Sequence, residues 1–439
     1  MPEIPPTEIA YVQHLLDGRR AQLRQDLTAL PAALAKLSPD ERNLNRYEEL
    51  LERYRFVDEM RNRKFADRPA YDSPESLRFD AYQRNLRAEV DNPLRQFLQS
   101  ARDHARQNPH LVTPPEQELL GRAAGVFAQV HAMENDLRDA RLKFGRAAAT
   151  AAREGFVPVN QVDEFVRSAG TSTMNAERVL DPEDAIQDSD LDTMRGQVAN
   201  LARAVGGGKC GNYSAEIVTL VQSQLYDSRR NIGDQITVID FLAARGQNGK
   251  DVGFDHVAPV IGPPFHPESV VVDAWTKEPT VTSVLNYSVA QMRAFDRESF
   301  DRADGRDYKA IAARDHSPEA WLRENPPQRV SLDPTAASRF RETMASHPHA
   351  DSVYDIQHGY YNRMANPAAG RALTLENFEL TAANGFARSR SQSPAPALSE
   401  VLQQTSSFLQ NRSSQGAPAS SSAAPPAPAQ QNRGTSPRR

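Results

Sequence analysis

The chain contains a single cysteine, Cys210, among its 439 residues. One thiol cannot form an intrachain disulfide, and it cannot supply a zinc site built from several cysteines. Nothing in the cysteine content therefore requires an oxidising compartment. Any chemistry that depends on a thiolate can occur at only one position in this sequence.

Long apolar runs are also missing. No apolar stretch approaches the roughly 18 residues needed to cross a membrane. The N-terminus lacks the charged region and the apolar region that together make a secretory signal peptide. We therefore predict no membrane span and no secretory signal peptide. A type III export signal follows no strict sequence pattern, so this absence leaves that route of secretion open.

A strong positive charge is absent as well. The chain has 52 lysines and arginines against 57 aspartates and glutamates, which gives a net charge of −5. This balance argues against a nucleic-acid-binding protein driven by a basic field over the whole molecule. Hydrophobic residues make up 39% of the chain, which is enough for a sizeable buried core.

Three consecutive glycines, Gly206 to Gly208, stand two residues before Cys210. Apolar residues then recur from Ile217 to Leu225 at the dense spacing of a helix that is buried on most of its circumference. This pattern places Cys210 at or just before a helix N-terminus. Unpaired backbone N–H groups, the helix dipole and the neighbouring Lys209 favour a thiolate there. The alternative is a small buried apolar residue, as lone cysteines commonly are.

Two later segments carry a histidine and an acid. His256 lies in a short apolar run bounded by glycines, and Asp273 ends a β-branched run, so both segments are predicted strands. A hairpin at residues 262–267 would make the two strands neighbours. A carboxylate beside an imidazole fixes the tautomer, so that the other ring nitrogen can take the thiol proton. His266, within the hairpin, is an alternative base, although we expect it to be a surface histidine.

Residues Gly206 to Trp275 resemble the transglutaminase-like and papain-like cysteine enzymes. The shared features are a cysteine in a glycine-bounded helix start, Asp-His-Val on one strand and Val-Val-Val-Asp-Ala-Trp on the next. Within these enzymes the segment is most similar to bacterial type III effectors of the AvrPphE (HopX) group. The resemblance implies Cys210 as nucleophile, His256 as base and Asp273 as orienter, on a helix packed against an antiparallel sheet. It also implies acyl transfer at an amide: peptide cleavage, glutamine deamidation or transglutamination.

An oxyanion hole is expected close to the thiol. The bend at Gly208 and Gly211 brings backbone N–H groups near Cys210, and Asn200 or Gln197 are candidate side-chain donors. Trp275 either covers the Asp–His pair, lines the substrate cleft or is a plain core tryptophan.

The segment before the cysteine region is helical almost without interruption. Apolar residues recur every three or four positions from Pro6 to about Glu154, and Thr113 to Glu116 is a helix-capping signal with proline at the first helical position. Pro93 is expected to kink one of the helices. Long amphipathic helices with short turns predict an antiparallel bundle or coiled-coil arm, which is structural or docks a secretion chaperone.

The predicted fold class is α+β, in three parts. Residues 1–155 form the helical bundle, 156–386 a Cys-His-Asp catalytic domain like that of papain and the transglutaminases, and 387–439 a disordered tail rich in Ser, Pro, Ala, Gln and Arg. Histidines and acids near His349 lack regular ligand spacing, so we predict no metal site and no cofactor.

Two hypotheses follow. In the first, the protein is a thiol enzyme secreted by a bacterium into the host cell cytoplasm, where it acts on a host protein. In the second, the helices are an adaptor that binds partner helices, and the thiol domain is inactive. The ordered Cys, His and Asp favour the first hypothesis.

Overall fold

A computed structural model describes residues 3–37, 41–64, 67–69, 73–159, 191–245, 251–276, 279–287, 292–315 and 317–324. Within these residues the chain is mostly helical with small sheets, which confirms the predicted α+β class. The predicted tail at 387–439 and the histidine group near His349 lie outside the described residues.

Most of the described residues before 156 lie in helices. They are α1 (Ile9–Ala29), α2 (Pro31–Leu37), α3 (Glu41–Asn62), α4 (Pro74–Leu86), α5 (Asn92–Gln107) and α6 (Pro114–Gly155). The capping signal before α6 is confirmed, because the Thr113 backbone N–H donates to Glu116 Oε2 at 2.8 Å. The helix that begins there is 42 residues long.

Just before Pro93, where a kink is expected, a π-helical turn, Arg87–Asp91, lies between α4 and α5. The backbone N–H of Asn92 donates to Arg87 O, five residues back. Proline has no backbone N–H, so a regular α-helical bond cannot form at Pro93, and the wider turn accommodates this loss.

Strands and shorter helices follow. They are β1 (Val157–Pro158), α7 (Leu191–Val205), β2 (Gly207–Gly208), α8 (Cys210–Gln222), β3 (Tyr226–Asp227), β4 (Ile232–Gly233), β5 (Gln235–Arg245), β6 (Asp251–Ile261), β7 (Val270–Asp273), β8 (Thr280–Ser283), β9 (Met292–Arg302), α9 (Tyr308–Asp315) and α10 (Pro318–Glu324). A short 3₁₀ helix, Val284–Asn286, follows β8.

Five of the strands form one antiparallel sheet in the order β8-β7-β6-β5-β9. Val260 of β6 pairs with Val271 of β7, so the predicted hairpin between these two strands is confirmed. The two outer strands, β8 and β9, were not predicted. The sequence of β9 is rich in charged residues, which interrupt the apolar alternation by which a strand is recognised.

Helix α6 lies directly on this sheet. A Cβ atom built at Gly145 would stand 2.8 Å from Val272 Cγ2 and 3.1 Å from Val281 Cγ1, so only glycine allows this approach. One apolar cluster therefore runs from Leu16 in α1 through α6 and α8 to Trp275. The core crosses the predicted domain boundary at 155/156.

Buried ion pairs join the helices to the same part of the sheet. Arg20 of α1 donates to the two carboxylate oxygens of Glu268, in the β6–β7 hairpin, at 2.8 and 2.7 Å, and to Glu134 of α6 at 2.6 Å. Arg141 of α6 donates to both carboxylate oxygens of Asp234, the residue before β5, at 3.0 and 2.7 Å. Buried ion pairs, as well as a common apolar core, therefore hold the helices to the sheet.

His266 belongs to this buried region. It is 5% exposed, its Nδ1 lies 3.7 Å from Glu268 Oε1, and burial beside Arg20 lowers its pKa well below the ordinary value. The expectation of a surface histidine is wrong, because helices cover the hairpin: Gln83 of α4, for example, donates to Phe265 O at 2.8 Å.

Across the described ranges, no helix combines the length and the apolar character that crossing a membrane requires.

Candidate thiol site

Cys210 is the first residue of helix α8, as the sequence predicts. Helix α7 ends at Val205, and Gly206 turns the chain with a φ of 77°. The next two glycines form β2, which pairs in parallel with Val157–Pro158. The thiol is half-buried where the chain passes from this short strand into the helix.

The glycines flanking Cys210 have different surroundings. A Cβ atom at Gly208 would stand 2.5 Å from the Phe156 ring and 2.8 Å from Asn212 Cβ, so a side chain there would displace the segment. Gly211 is exposed, and a Cβ there would meet only Val257 Cγ2, at 4.0 Å. Gly208 is therefore required for packing, whereas the surface beside Gly211 is open.

Backbone donors lie at the start of α8. The N–H of Lys209 donates to the buried Asn212 Oδ1 at 2.8 Å, which caps the helix. The first intrahelical bond is from Tyr213 N to Lys209 O. The N–H groups of Cys210 and Gly211 precede it and have no acceptor within the helix.

His256 and Asp273 meet at the neighbouring strands. His256 lies in β6 and Asp273 ends β7, and their Nε2 and Oδ2 atoms are 2.9 Å apart. Neither residue is more than 2% exposed. The backbone N–H of Trp275 donates to the other Asp273 oxygen, Oδ1, at 3.1 Å. The structure therefore brings the predicted histidine and aspartate together.

The electrostatics of the pair favour a charged imidazole. Burial alone would lower the pKa of His256, but the charge and hydrogen bond of Asp273, with a smaller contribution from Cys210, raise that pKa to about 10. Burial would raise the pKa of Asp273, but the charge and hydrogen bond of His256 outweigh it and lower that pKa. The thiol of Cys210 adds to this effect through a hydrogen bond and through its charge.

Helix α8 is fastened to the histidine strand next to the site. Ser214 Oγ donates to the backbone carbonyl of Val257, the residue after His256, at 3.3 Å. This bond fixes the start of the helix, and so Cys210, relative to β6.

Trp275 covers the imidazole. Its ring centroid is 5.1 Å from that of His256, with a tilt of 36°, and its Nε1 donates to Val159 O at 2.7 Å. The side chain is 6% exposed. Trp275 thus covers the histidine and is part of the core at the same time.

Helix α6 also supports the segment that follows Asp273. Arg153 Nη1 donates to Ala274 O at 3.1 Å and to Thr276 O at 3.0 Å. Both carbonyls flank Trp275, so a residue from the predicted helical domain holds the backbone that follows Asp273.

The two amides considered as oxyanion donors lie in α7. Asn200 Nδ2 donates to Lys309 O at 3.0 Å and so ties α7 to α9. The Asn200 amide therefore already has an acceptor in α9. Gln197 is 3% exposed within α7.

Tyr287 was not predicted as a residue of the site. Its hydroxyl donates to Asp273 Oδ2 at 2.7 Å and lies 3.3 Å from His256 Nε2. No motif surrounds this tyrosine, and the only available signal was its position soon after the Asp273 strand. Tertiary structure alone places it at the site.

In the part of the chain that the structure describes, no group of three or more His, Cys, Asp and Glu side chains is arranged to hold a metal ion. Comparison with protein-family models, with curated proteins and with solved structures finds no match, so the interpretation of the site rests on its own geometry.

Proposed function

We propose that this protein is a thiol enzyme that transfers acyl groups at amide bonds. Cys210 is the nucleophile, His256 the general base, and Asp273 the acid that orients the imidazole. The observation that carries the proposal is the buried 2.9 Å contact between His256 and Asp273, with Cys210 at the start of a helix that packs against the His256 strand. Activated nucleophiles depend on such a base, held by a third group.

The first half of the reaction uses these groups in sequence. Because Nε2 of His256 faces Asp273, Nδ1 is the nitrogen that takes the thiol proton, and it does so before the substrate binds, which leaves His256 as an imidazolium. The Cys210 sulfur attacks the amide carbon, so a C–S bond forms and the π electrons of the carbonyl move onto oxygen. The imidazolium then passes its proton to the amide nitrogen, the C–N bond breaks, and an amine or ammonia leaves behind a thioester.

Backbone N–H groups are the donors that we assign to the oxyanion. Those of Cys210 and Gly211 stand at the positive end of α8, next to the sulfur. We prefer them to the Asn200 side chain, because its amide already donates to Lys309 O.

The acceptor decides the product. Water attacks the thioester carbon while His256 takes its proton, a C–O bond forms, and the C–S bond breaks so that the Cys210 sulfur is released. The product is an acid, which is the end of a cut peptide or a deamidated glutamine. An amine yields a new amide, as in transglutamination. All three reactions share the same first half, so the site supports them equally.

The finer fold and the biological setting form part of the proposal. We assign α8 and the sheet to a papain-like or transglutaminase-like fold, because the helix that begins with the nucleophile contacts the antiparallel strands of His256 and Asp273. Following the resemblance of residues 206–275 to type III effectors, we propose secretion by a bacterium and a host-protein substrate in the host cytoplasm. The helices α1–α6, as a bundle, would dock a secretion chaperone.

The shared core supports the enzyme over the adaptor hypothesis. Arg153 and Gly145 of α6 both contact the strands or the turn around Asp273. Helices that serve only as an adaptor have no need for such contacts.

Iodoacetamide labelling near neutral pH tests the proposal without a known substrate. In the folded protein, an activated Cys210 should react faster than an ordinary thiol in solution. His256→Ala should slow this reaction. A cysteine that stays unlabelled until the protein is denatured would contradict the proposal.

Mass spectrometry then identifies the reaction. Host-cell extract is incubated with wild type and, as the matched control, with Cys210→Ala. New peptide termini indicate cleavage, conversion of glutamine to glutamate indicates deamidation, and crosslinked peptides indicate transglutamination. Identical spectra for the two proteins would count against an enzyme acting on host proteins.

A further inference from the structure

Tyr287 reaches the thiol site from a well-defined turn. It directly follows the 3₁₀ helix Val284–Asn286, and its backbone N–H donates to Val284 O. Ser283 Oγ accepts from Leu285 N at 3.4 Å, which caps the start of the same turn. The turn follows Ser283 of β8, which pairs with Val270 of β7, and from there the Tyr287 hydroxyl reaches back to Asp273 at the other end of β7.

The Tyr287 hydroxyl lies within hydrogen-bonding distance of Asp273. Tyr287 Oη is 2.7 Å from Asp273 Oδ2 and 3.3 Å from His256 Nε2. The same carboxylate oxygen faces Nε2 at 2.9 Å. An Nε2 that donates its proton to Asp273 cannot accept another, so the phenol proton points to Oδ2.

Among the residues that the structure describes, three groups donate to the Asp273 carboxylate. His256 Nε2 and Tyr287 Oη donate to Oδ2, and Trp275 N donates to Oδ1. The residue is 2% exposed, and a buried carboxylate without donors is costly. Charge-assisted hydrogen bonds are the ones that hold such a group ionised.

Three described groups face this carboxylate. His256 lies in β6, the Trp275 backbone N–H lies just after β7, and Tyr287 lies after β8. Cys210 of α8 acts on the His256 imidazole, and Arg153 of α6 donates to the backbone carbonyls that flank Trp275. The imidazole carries the single positive charge in direct contact with Asp273 among the described residues.

The phenol stays a donor throughout. Burial, and then the charge of Asp273, raise the pKa of Tyr287 well above the ordinary value for tyrosine. The phenol therefore keeps its proton at neutral and acidic pH, and Tyr287 is not a general acid or base of the reaction.

We propose that Tyr287 is a positioning residue of the thiol site, which keeps Asp273 ionised and turned toward His256 through its hydrogen bond to Oδ2. This proposal rests on the proposed function. During acyl transfer His256 becomes neutral when it gives its proton to the leaving group, and Asp273 then loses its positive neighbour. The phenol and the Trp275 N–H remain as donors, so the acid stays a carboxylate and the imidazole keeps its orientation.

The test follows the Nε2–H proton of His256 by NMR. A proton shared with a buried carboxylate resonates far downfield, and burial protects it from exchange. The resonance is followed from neutral to acidic pH in wild type and in Tyr287→Phe, which keeps the ring and removes only the hydroxyl. Loss of one hydrogen bond to a charged group should move the acidic midpoint, at which Asp273 is protonated, upward by about one pH unit.

Tyr47→Phe is the matched control. Its hydroxyl is also buried and donates to Leu27 O at 2.8 Å, remote in sequence from the site. It should lower overall stability but leave the midpoint unchanged. Replacing all twelve tyrosines by 3-fluorotyrosine strengthens the phenol as a donor and should shift the midpoint in the opposite direction, without deleting any group.

The outcomes separate this proposal from the enzyme hypothesis. Superimposable titrations of wild type and Tyr287→Phe, or an unchanged midpoint with fluorotyrosine, would overturn the role of Tyr287 while Cys210 still reacts rapidly with iodoacetamide. Slow labelling of Cys210 in wild type would instead overturn the proposed function, whatever the titrations show.

Discussion

Arg141 of α6 and Asp234, the residue that precedes strand β5, form a two-pronged ion pair in which neither side chain is more than 1% exposed. Arg141 also donates to Gln13 Oε1 at 3.0 Å and to Glu268 O at 3.3 Å. One guanidinium thus joins α1, α6, the hairpin and the sheet. Buried charges of this kind require all their partners, because a single charge left unpaired is strongly destabilising.

Arg141→Leu should therefore lower the free energy of unfolding by about 3–5 kcal/mol, since it leaves Asp234 buried and unpaired. Urea unfolding measures this loss. Arg24→Leu removes an exposed arginine that pairs with Asp58, and it should cost about 1 kcal/mol or less. Equal losses for the two variants would mean that the buried pair does not hold the helices to the sheet.

Gly208 and Gly211 offer a second matched pair. A Cβ at Gly208 would overlap the Phe156 ring, so Gly208→Ala should destabilise the protein by about 1–3 kcal/mol and slow iodoacetamide labelling of Cys210. Gly211→Ala places its methyl group in open space and should unfold at the wild-type urea concentration. The opposite ranking would show that the glycine bend does not position the cysteine.

The buried Asp91, in the π-helical turn, should make the free energy of unfolding depend on pH. Burial, only partly offset by His131, raises the pKa of Asp91 to about 6. The folded state then binds this proton more tightly than the unfolded chain. Tighter proton binding by Asp91 therefore stabilises the folded state. This contribution is fully present below about pH 4 and is lost as the pH rises through about 6.

Asp91→Asn should consequently raise the free energy of unfolding at pH 7.5, by on the order of 2 kcal/mol, and change it little at pH 4. Asp139→Asn, an exposed carboxylate in α6, should change it by less than about 0.5 kcal/mol at either pH. Unfolding curves at the two pH values check the difference. A destabilised Asp91→Asn protein at pH 7.5 would be inconsistent with a buried, penalised carboxylate.

The charge of His256 is open to direct observation. Its pKa of about 10 predicts an imidazolium that persists at pH 8, where an ordinary histidine is neutral, and that deprotonates as pH rises through about 10. NMR of protein labelled with ¹⁵N-histidine measures this titration, and His256→Gln assigns the resonance.

Asp273→Asn removes the charge that contributes most to holding the proton, so the midpoint of His256 should fall below neutral pH, where burial alone would place it. A His256 that is neutral at pH 8 in wild type, or a midpoint that Asp273→Asn leaves unchanged, would contradict the ion pair.

Local sequence patterns were sufficient for the parts of the site that lie on single elements. The helix start at Cys210 and the strands of His256 and Asp273 were predicted, because each has a period or a turn signal within a few residues. The hairpin at 262–267 also predicted that the two strands are neighbours, and they are.

Contacts between distant segments were not predictable in the same way. Tyr287 was missed, His266 was expected on the surface, and β9 carries a charged sequence that hides its strand. In each case the outcome depends on what packs against the residue from elsewhere in the chain, and no local pattern records that.

The sequence by itself determined the helical N-terminal region, the order of cysteine, histidine and aspartate, and the elements on which they lie, because periodicity and turn chemistry act over a few residues. Tertiary structure alone decided that α6 covers the sheet, that Arg153 supports the segment after Asp273, and that Tyr287 donates to its carboxylate. These relationships arise from packing between segments more than a hundred residues apart, or from a turn that brings a side chain back over a neighbouring strand.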